Sequence, residues 1–137
     1  MATLTASSPQ TDLTRIAKTT LKITDVLGVA IFDVNGLPRE YFITEENPST
    51  GWVQIVFQAL GLRSLLASSL ELEGFQRIAI RLEETTIMVV RRRHDYIALQ
   101  IKGMLVLDQK ADSDRFMGMI NALDPAKLKD HDHFKVA

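Results

Sequence analysis

The stretch "GWVQIVFQALGLRSLLASSL", residues 51–70, decides the fold because it is apolar at most positions and its single charge is Arg63. It is long enough for a helix of several turns, and at about 100° per residue its large side chains divide between two opposite flanks. One flank holds Trp52, Ile55, Ala59, Leu62 and Leu66, and the other holds Val53, Val56, Phe57, Leu60 and Ala67. Because a helix lying on a sheet hides only one flank, the pattern predicts that the other flank contacts a second surface.

That second surface could be the chain's own C-terminal segment or another protein. The C-terminal segments are needed on the opposite face of the sheet, which is apolar on both sides. We therefore favour another copy of the same chain, since homodimers are the commonest soluble assemblies.

The sequence on either side predicts the remaining elements. Apolar residues between positions 11 and 25 recur at helical steps, and the run "GVAIFDVNGLPREYFI" (28–43) predicts two strands joined by a tight turn at Asn35-Gly36. Three short runs at 75–82, 85–91 and 96–101 predict an antiparallel meander. The segment "MLVLDQKAD" is compatible with a strand or a loop. Phe116, Met119, Ile120 and Leu123 predict a last helix, with Asp112 or Ser113 as its cap.

This order of elements predicts an α/β (α+β) protein built on a five-stranded, mostly antiparallel sheet. The long helix is expected on one face and the other two helices on the opposite face. We expect residues 1–10 to form a flexible arm, residues 11–124 the folded domain, and residues 125–137 a charged, mobile tail without assigned structure.

Composition limits the classes of function. A chain of 137 residues with 46% hydrophobic and 24% charged residues is the size and character of one folded domain. The net charge of −1 and the scattered basic residues argue against nucleic-acid binding, and without cysteine there are no disulfides or thiolate metal ligands. We see no membrane-spanning run and no signal-peptide pattern, so a cytoplasmic location is expected.

Motifs for catalysis are missing from the sequence. It contains no phosphate-binding loop, no dinucleotide fingerprint, no nucleophile elbow and no zinc-protease motif. His94 and Asp95 could form a base with its orienting carboxylate, and His131 and His133 could hold a metal ion. We favour a surface turn for the first pair and a solvated tail for the second. The prediction is a protein that is not an enzyme and uses no cofactor or metal.

A family resemblance emerges from residues 28–38. Gly28, Val29, Asp33, Gly36 and Pro38 match a pattern that follows the first helix in the roadblock / dynein light chain family. The long apolar helix and the three-strand meander are similar as well. The resemblance implies a profilin-like three-layer fold and a dimer in which the long helices (50–69) pack antiparallel and the third strands (75–82) pair edge to edge. Bacterial relatives regulate or scaffold small Ras-like GTPases, so such a GTPase is the implied partner.

These arguments name the residues of the predicted dimer interface: Trp52, Ile55, Val56, Ala59, Leu62, Leu66, Arg77, Ala79 and Arg81. A second set, Arg91, Arg92 and Arg93, could contact an acidic partner, a phosphate or a GTPase-bound nucleotide, although we favour a charged, solvated turn, as most charge runs are. The alternative function is a small-molecule sensor, in which the surplus apolar residues would line a ligand cavity.

Overall fold

The computed structural model describes residues 17–70 and 77–137. Its elements, in chain order, are β1 (Ala17–Lys18), a 3-10 turn (Ile23–Asp25), β2 (Val26–Phe32), β3 (Pro38–Ile43), α1 (Trp52–Leu70), β4 (Arg77–Arg81), β5 (Thr85–Arg91), β6 (Tyr96–Lys102), β7 (Met104–Leu105), α2 (Lys110–Ala122), α3 (Pro125–Asp130) and β8 (Lys135–Val136).

One antiparallel sheet organises these elements, with the strand order β4-β5-β6-β2-β3-β8. The five predicted strands are β2 to β6, and the mixed α+β class is confirmed. The short β8 adds a sixth strand beside β3, and β1 pairs in parallel with β7 outside the main sheet.

Both faces of the sheet are apolar because the central strands β2, β5 and β6 carry large side chains on both sides, as strands covered on both faces do. On one face, Val29, Met88 and Leu99 pack against α2, α3 and the last segment of the chain. On the other face, Ala30, Ile87 and Ala98 pack against α1. The long helix is therefore alone on its side of the sheet within the described part of the chain.

The connection between β2 and β3 contains the tight turn that the sequence predicts at Asn35-Gly36: the Gly36 N–H donates to the Asp33 carbonyl, and the Asp33 N–H donates to the Leu37 carbonyl, both at 2.9 Å. It spans residues 33–37, and the Asp33 carboxylate Oδ1 accepts hydrogen bonds from the backbone N–H groups of Asn35 at 2.8 Å and Leu37 at 3.0 Å. Gly36 has a φ of 82°, which an L side chain rarely adopts. The Asp33 side chain thus stabilises this connection with two hydrogen bonds, in addition to the conformation that Asn35-Gly36 favours.

The first predicted helix, over residues 11–25, is wrong for its described part. Residues 17–25 form β1 and the 3-10 turn, and the rest of that prediction lies outside the described residues. Pairing of Ala17 with Met104, together with the ion pair of Lys18 with Asp25 at 3.5 Å, holds this segment in an extended course. The helical spacing of its apolar residues is overridden by these tertiary contacts.

The expectation of a mobile tail is also wrong, because residues 125–137 form α3 and β8. Asp124 caps α3 by accepting the backbone N–H of Lys127 at 2.9 Å, and Leu128 and Phe134 are buried in the core beside α2. Val136 pairs with Phe42 at the sheet edge. The tail therefore takes the place beside α2 that the first helix was expected to fill. The predicted arm at residues 1–10 lies outside the described residues.

Candidate functional site

The inward side of α1 is fixed by four residues, Trp52, Val53, Val56 and Leu60, which are all buried on the sheet. Trp52 lies directly over Gly28 of β2: a Cβ atom at Gly28 would come within 3.1 Å of the indole ring. The missing side chain makes room for the large ring. The start of α1 is thus seated by a close fit between the largest side chain of the helix and the smallest residue of the strand.

The outward side of α1, as far as its side chains are described (52–62), carries three partly exposed apolar residues. Ile55 is 37% exposed, Phe57 39% and Leu62 56%. Gln54, Gln58 and Gly61 separate them, and Ala59 is half-buried. By helical position, Ile55 and Leu62 lie together at one edge of this side and Phe57 lies at the opposite edge. The apolar surface that favours contact with another protein is therefore centred on Ile55 and Leu62.

The structure divides the predicted interface set. Ile55 and Leu62 lie on the outward side, while Trp52 and Val56 belong to the chain's own core. The two flanks predicted from the sequence do not coincide with the buried and exposed sides of the helix. The sheet buries Trp52 from one flank and Val53, Val56 and Leu60 from the other. Leu66 is in α1, and its side chain lies outside the described part of the structure.

The strand β4 forms the edge of the sheet next to this surface. Within the described strands it pairs only with β5, so its other side is open. Ile78 and Ile80 pack against the cluster under α1. Arg77 and Arg81 lie on the opposite face, where the Arg77 guanidinium donates to Ser113 Oγ at 2.6 Å.

The turn between β5 and β6 carries the three consecutive arginines, and the structure gives them different roles. Arg92 donates from Nε and Nη2 to the two carboxylate oxygens of Asp95, at 2.7 and 2.9 Å. Its Nη1 donates to the carbonyls of Ile120 and Leu123 at the end of α2. Arg92 therefore ties this turn to the C-terminus of α2, where a positive charge also suits the helix dipole.

Arg91 and Arg93 differ in their contacts and in their exposure to solvent. The guanidinium of Arg91 lies 5.0 Å from the centre of the Tyr96 ring, which is a cation–π contact. Arg93 is exposed, and all three arginines line an open cleft of about 630 Å³ together with Met117, Asn121 and Asp124. Arg93 is thus the member of the set that is best placed to meet a partner.

The histidines have structural contacts. Asp95 is held by Arg92, which removes it as an orienting group for His94. His131 Nδ1 accepts the backbone N–H of His133 at 3.1 Å, and His133 Nε2 lies 2.9 Å from the carbonyl oxygen of Val26. Over residues 17–70 and 77–137, no group of three or more His, Cys, Asp or Glu side chains could hold a metal ion.

Two further results concern the class of protein to which the chain could belong. In the described part of the chain, no helix combines the length and apolarity needed to cross a membrane. No protein-family model matches the chain, and no curated protein sequence does.

Several solved structures are similar to this chain. The gliding protein MglB of Thermus thermophilus has 13% sequence identity and a TM-score of 0.46, over 56% of this chain and 61% of that one. A Roadblock/LC7 domain from Streptomyces avermitilis has 15% identity and a TM-score of 0.46, over 70% of this chain and 79% of that one. MglB of Myxococcus xanthus has 12% identity and a TM-score of 0.46, over 73% and 87%. The chain spans about three fifths of the length of the Thermus protein. The chain is thus similar, at 12–15% identity and over 56–73% of its length, to solved MglB and Roadblock/LC7 structures.

Proposed function

We propose that this protein is a cytoplasmic, non-enzymatic homodimer that binds a small Ras-like GTPase or a related complex and regulates or scaffolds it. The observation that carries the proposal is the uncovered apolar side of α1 beside the open edge of β4. Self-association through these two elements is what the resemblance to the roadblock family implies.

Apolar side chains of α1 that stay exposed to water forgo the free energy that their burial would contribute. Burial of apolar surface contributes roughly 25 cal/mol per Å². Ile55, Phe57 and Leu62 lie on the helix that is alone on its face of the sheet, so a second copy related by a two-fold axis could cover them with the same residues of its own. The backbone groups along the open side of β4 would find partners in the same arrangement. A single two-fold axis would thus cover the exposed apolar side chains of α1 and pair the backbone groups on the open side of β4.

The proposed dimer keeps seven of the nine predicted interface residues and leaves out two. It retains Ile55, Ala59, Leu62, Arg77, Ala79 and Arg81, and it leaves out the buried Trp52 and Val56. Leu66 remains part of the proposal on the strength of its position in the sequence.

The GTPase partner rests on the family resemblance. A protein without catalytic groups of its own would act by binding one conformation of the GTPase switch loops more tightly than the others, which shifts their populations. Arg93 is a candidate contact because it is exposed and carries no ion pair within the described residues. The proposed role of Arg92 is structural.

The dimer is tested by measuring molecular mass with light scattering. We expect the mass of two chains for the natural protein and of one chain for Leu62→Asp or Ile55→Asp, because each variant would bury a carboxylate at the interface. Gln109→Asp is the control, since it adds the same charge at an exposed polar position next to α2, on the other face of the sheet. A natural protein that has the mass of one chain at all concentrations would contradict the proposal.

The GTPase is tested separately with a Ras-like GTPase from the same genome. We expect it to co-elute with the dimer when loaded with a GTP analogue, and we expect Arg93→Glu to weaken binding by about tenfold or more if Arg93 lies at the contact. Arg39→Glu, the same charge change at an exposed position of β3, serves as the control. Hydrolysis measured with and without the dimer separates regulation from scaffolding. Failure of every such GTPase to bind would remove the partner and leave the dimer standing.

A further inference from the structure

The loop between β2 and β3, residues 33–37, contains the chain's one Asn-Gly pair, Asn35-Gly36. Asparagine is a chemically labile residue, because its side-chain amide can be lost. The loss is easiest before glycine, since no side chain keeps the glycine nitrogen away from the asparagine. Asn35 is exposed to solvent. The sequence and the exposure together therefore mark position 35 as a place where the chain can be modified.

The chemistry of this loss starts at the backbone nitrogen of Gly36. That nitrogen gives up its proton and forms a bond to Cγ of Asn35, and the side-chain amide leaves as ammonia, which closes a succinimide ring. Water then adds to either ring carbonyl, and ring opening gives aspartate or isoaspartate. In isoaspartate the main chain runs through the former side chain and is longer by a methylene group.

The attacking nitrogen is withheld in the folded protein. The Gly36 N–H donates to the Asp33 carbonyl at 2.9 Å, and Gly36 is buried although Asn35 is exposed. Attack on Asn35 requires this N–H to leave its acceptor and lose its proton. A buried, hydrogen-bonded backbone N–H reaches solvent only when the local structure opens. The reaction at position 35 is therefore coupled to opening of the loop.

Several contacts keep the loop closed around Gly36. Asp33 Oδ1 accepts the backbone N–H groups of Asn35 at 2.8 Å and Leu37 at 3.0 Å. The Asp33 N–H donates to the Leu37 carbonyl at 2.9 Å. On the side of α1, a Cβ atom built on Gly36 would lie 3.6 Å from the Cβ atom of Leu60. The peptide that must move for the reaction is thus held by the loop and by the helix.

We propose that Asn35 is a deamidation site that the folded loop holds closed, so that the reaction proceeds from the open form of residues 33–37. The rate in the native protein is then the rate in the unfolded chain multiplied by the fraction of open loops. The other asparagines are poorer sites. Asn47 precedes a proline, which has no N–H, and Asn121 precedes Ala122, whose side chain hinders the attack.

The reaction makes a brief opening of the loop permanent. The added methylene group of isoaspartate changes the spacing between Asp33 and Gly36, so their hydrogen bond cannot re-form as before. Gly36 also loses its position against Leu60 of α1. The product carries a new carboxylate two residues from Asp33, which adds repulsion between like charges. The modified chain should therefore be less stable than the natural one.

The first test compares the natural protein in buffer with the same protein unfolded in guanidinium chloride, at one pH and temperature. Peptide mapping by mass spectrometry measures the deamidated fraction at position 35 over time. We expect the native protein to react at least about tenfold more slowly than the unfolded chain. The peptide that contains Asn121 is the internal reference and should react slowly in both. A native protein that reacts as fast as the unfolded chain would overturn the proposal.

Variants of Asp33 test whether its hydrogen bonds hold the site closed. Asp33→Ala should speed the native reaction by about threefold or more, because it removes the acceptor of two N–H groups. Asp33→Asn keeps an acceptor oxygen without the charge and should stay within about twofold of the natural protein. Asp108→Ala removes an exposed carboxylate elsewhere and is the control.

Each variant's native rate is divided by the rate of the same variant when unfolded, which cancels any direct effect of the charge on the reaction. If Asp33→Ala then reacts no faster than Asp108→Ala, the loop does not control the site and the proposal is wrong. The deamidated protein, separated by ion exchange, should unfold at a lower urea concentration than the natural protein. Equal midpoints would show that the loop closes around the product, and would overturn the permanent change.

Discussion

Gly28 and Trp52 illustrate how one small residue positions the helix on which the proposed interface depends. The indole ring lies where the side chain of any other residue at position 28 would begin. The contact fixes the rotation of the first turn of α1, and this rotation decides that Ile55 faces outward.

Gly28→Ala should destabilise the protein by about 1–2 kcal/mol, because the added methyl group would force the ring to move. Trp52 is the only tryptophan, so its fluorescence should report the displacement directly. Gly118→Ala in α2 is the matched control: space there is open, and replacing a helical glycine should stabilise by about 0.5–1 kcal/mol. Equal effects of the two substitutions in urea unfolding would refute the close fit.

Arg92 is the second residue whose role can be tested alone. Arg92→Ala removes the paired hydrogen bonds to Asp95 and the donors to two carbonyls of α2, and its side chain is only 11% exposed. We expect a loss of about 2–3 kcal/mol in the free energy of unfolding. Arg93→Ala, at an exposed position, should change it by less than about 0.5 kcal/mol. If both variants were equally stable, the arginine turn would be a solvated turn throughout.

At the scale of elements, α3 and β8 hold the end of the chain on the sheet. Leu128→Ala should cost about 2–4 kcal/mol, as truncation of a fully buried leucine does. Lys129→Ala, one position further and exposed, is the control and should have little effect. Thermal unfolding of both variants would check this, and a Leu128→Ala protein as stable as the control would mean that the segment is loosely attached in solution.

The elements show which parts of a fold a sequence can predict. The strands β2 to β6, α1 and α2 have long, regular apolar patterns, and each was predictable to within a few residues. The segment 125–137 was not, because α3 has six residues and its core contributions, Leu128 and Phe134, are too few to form a period. The extended course of residues 17–25 depends on pairing with β7, which is a contact distant in sequence.

The candidate site was predictable to a similar extent. The surplus of apolar residues on α1 can be read from the sequence, and Ile55 and Leu62, which the sequence named for the predicted interface, are partly exposed. The sequence did not show which residues of α1 the sheet would bury, because the burial of Trp52 depends on the space above Gly28. Likewise, three adjacent arginines look alike in the sequence, and only the position of α2 distinguishes Arg92 from Arg93.

At the scale of the whole molecule, dimerisation should make stability depend on concentration. Tenfold dilution should lower the Tm of the natural protein, because dissociation precedes or accompanies unfolding. Leu62→Asp should show the same Tm at both concentrations, and Gln109→Asp should depend on concentration as the natural protein does. Differential scanning fluorimetry over a dilution series measures this, and a natural protein with a constant Tm would argue against the shared interface.

The last strand of the sheet also limits how many copies can join. Strand β8 covers β3 with two residues, which leaves β4 as the longer of the two outer strands. A molecule with two long open edge strands could pair with another copy at each edge and form a filament. A molecule with only one such edge forms a dimer and no larger assembly. We therefore expect a chain shortened by residues 135–137 to form species larger than two copies, which light scattering would detect, and the intact chain to remain a closed pair.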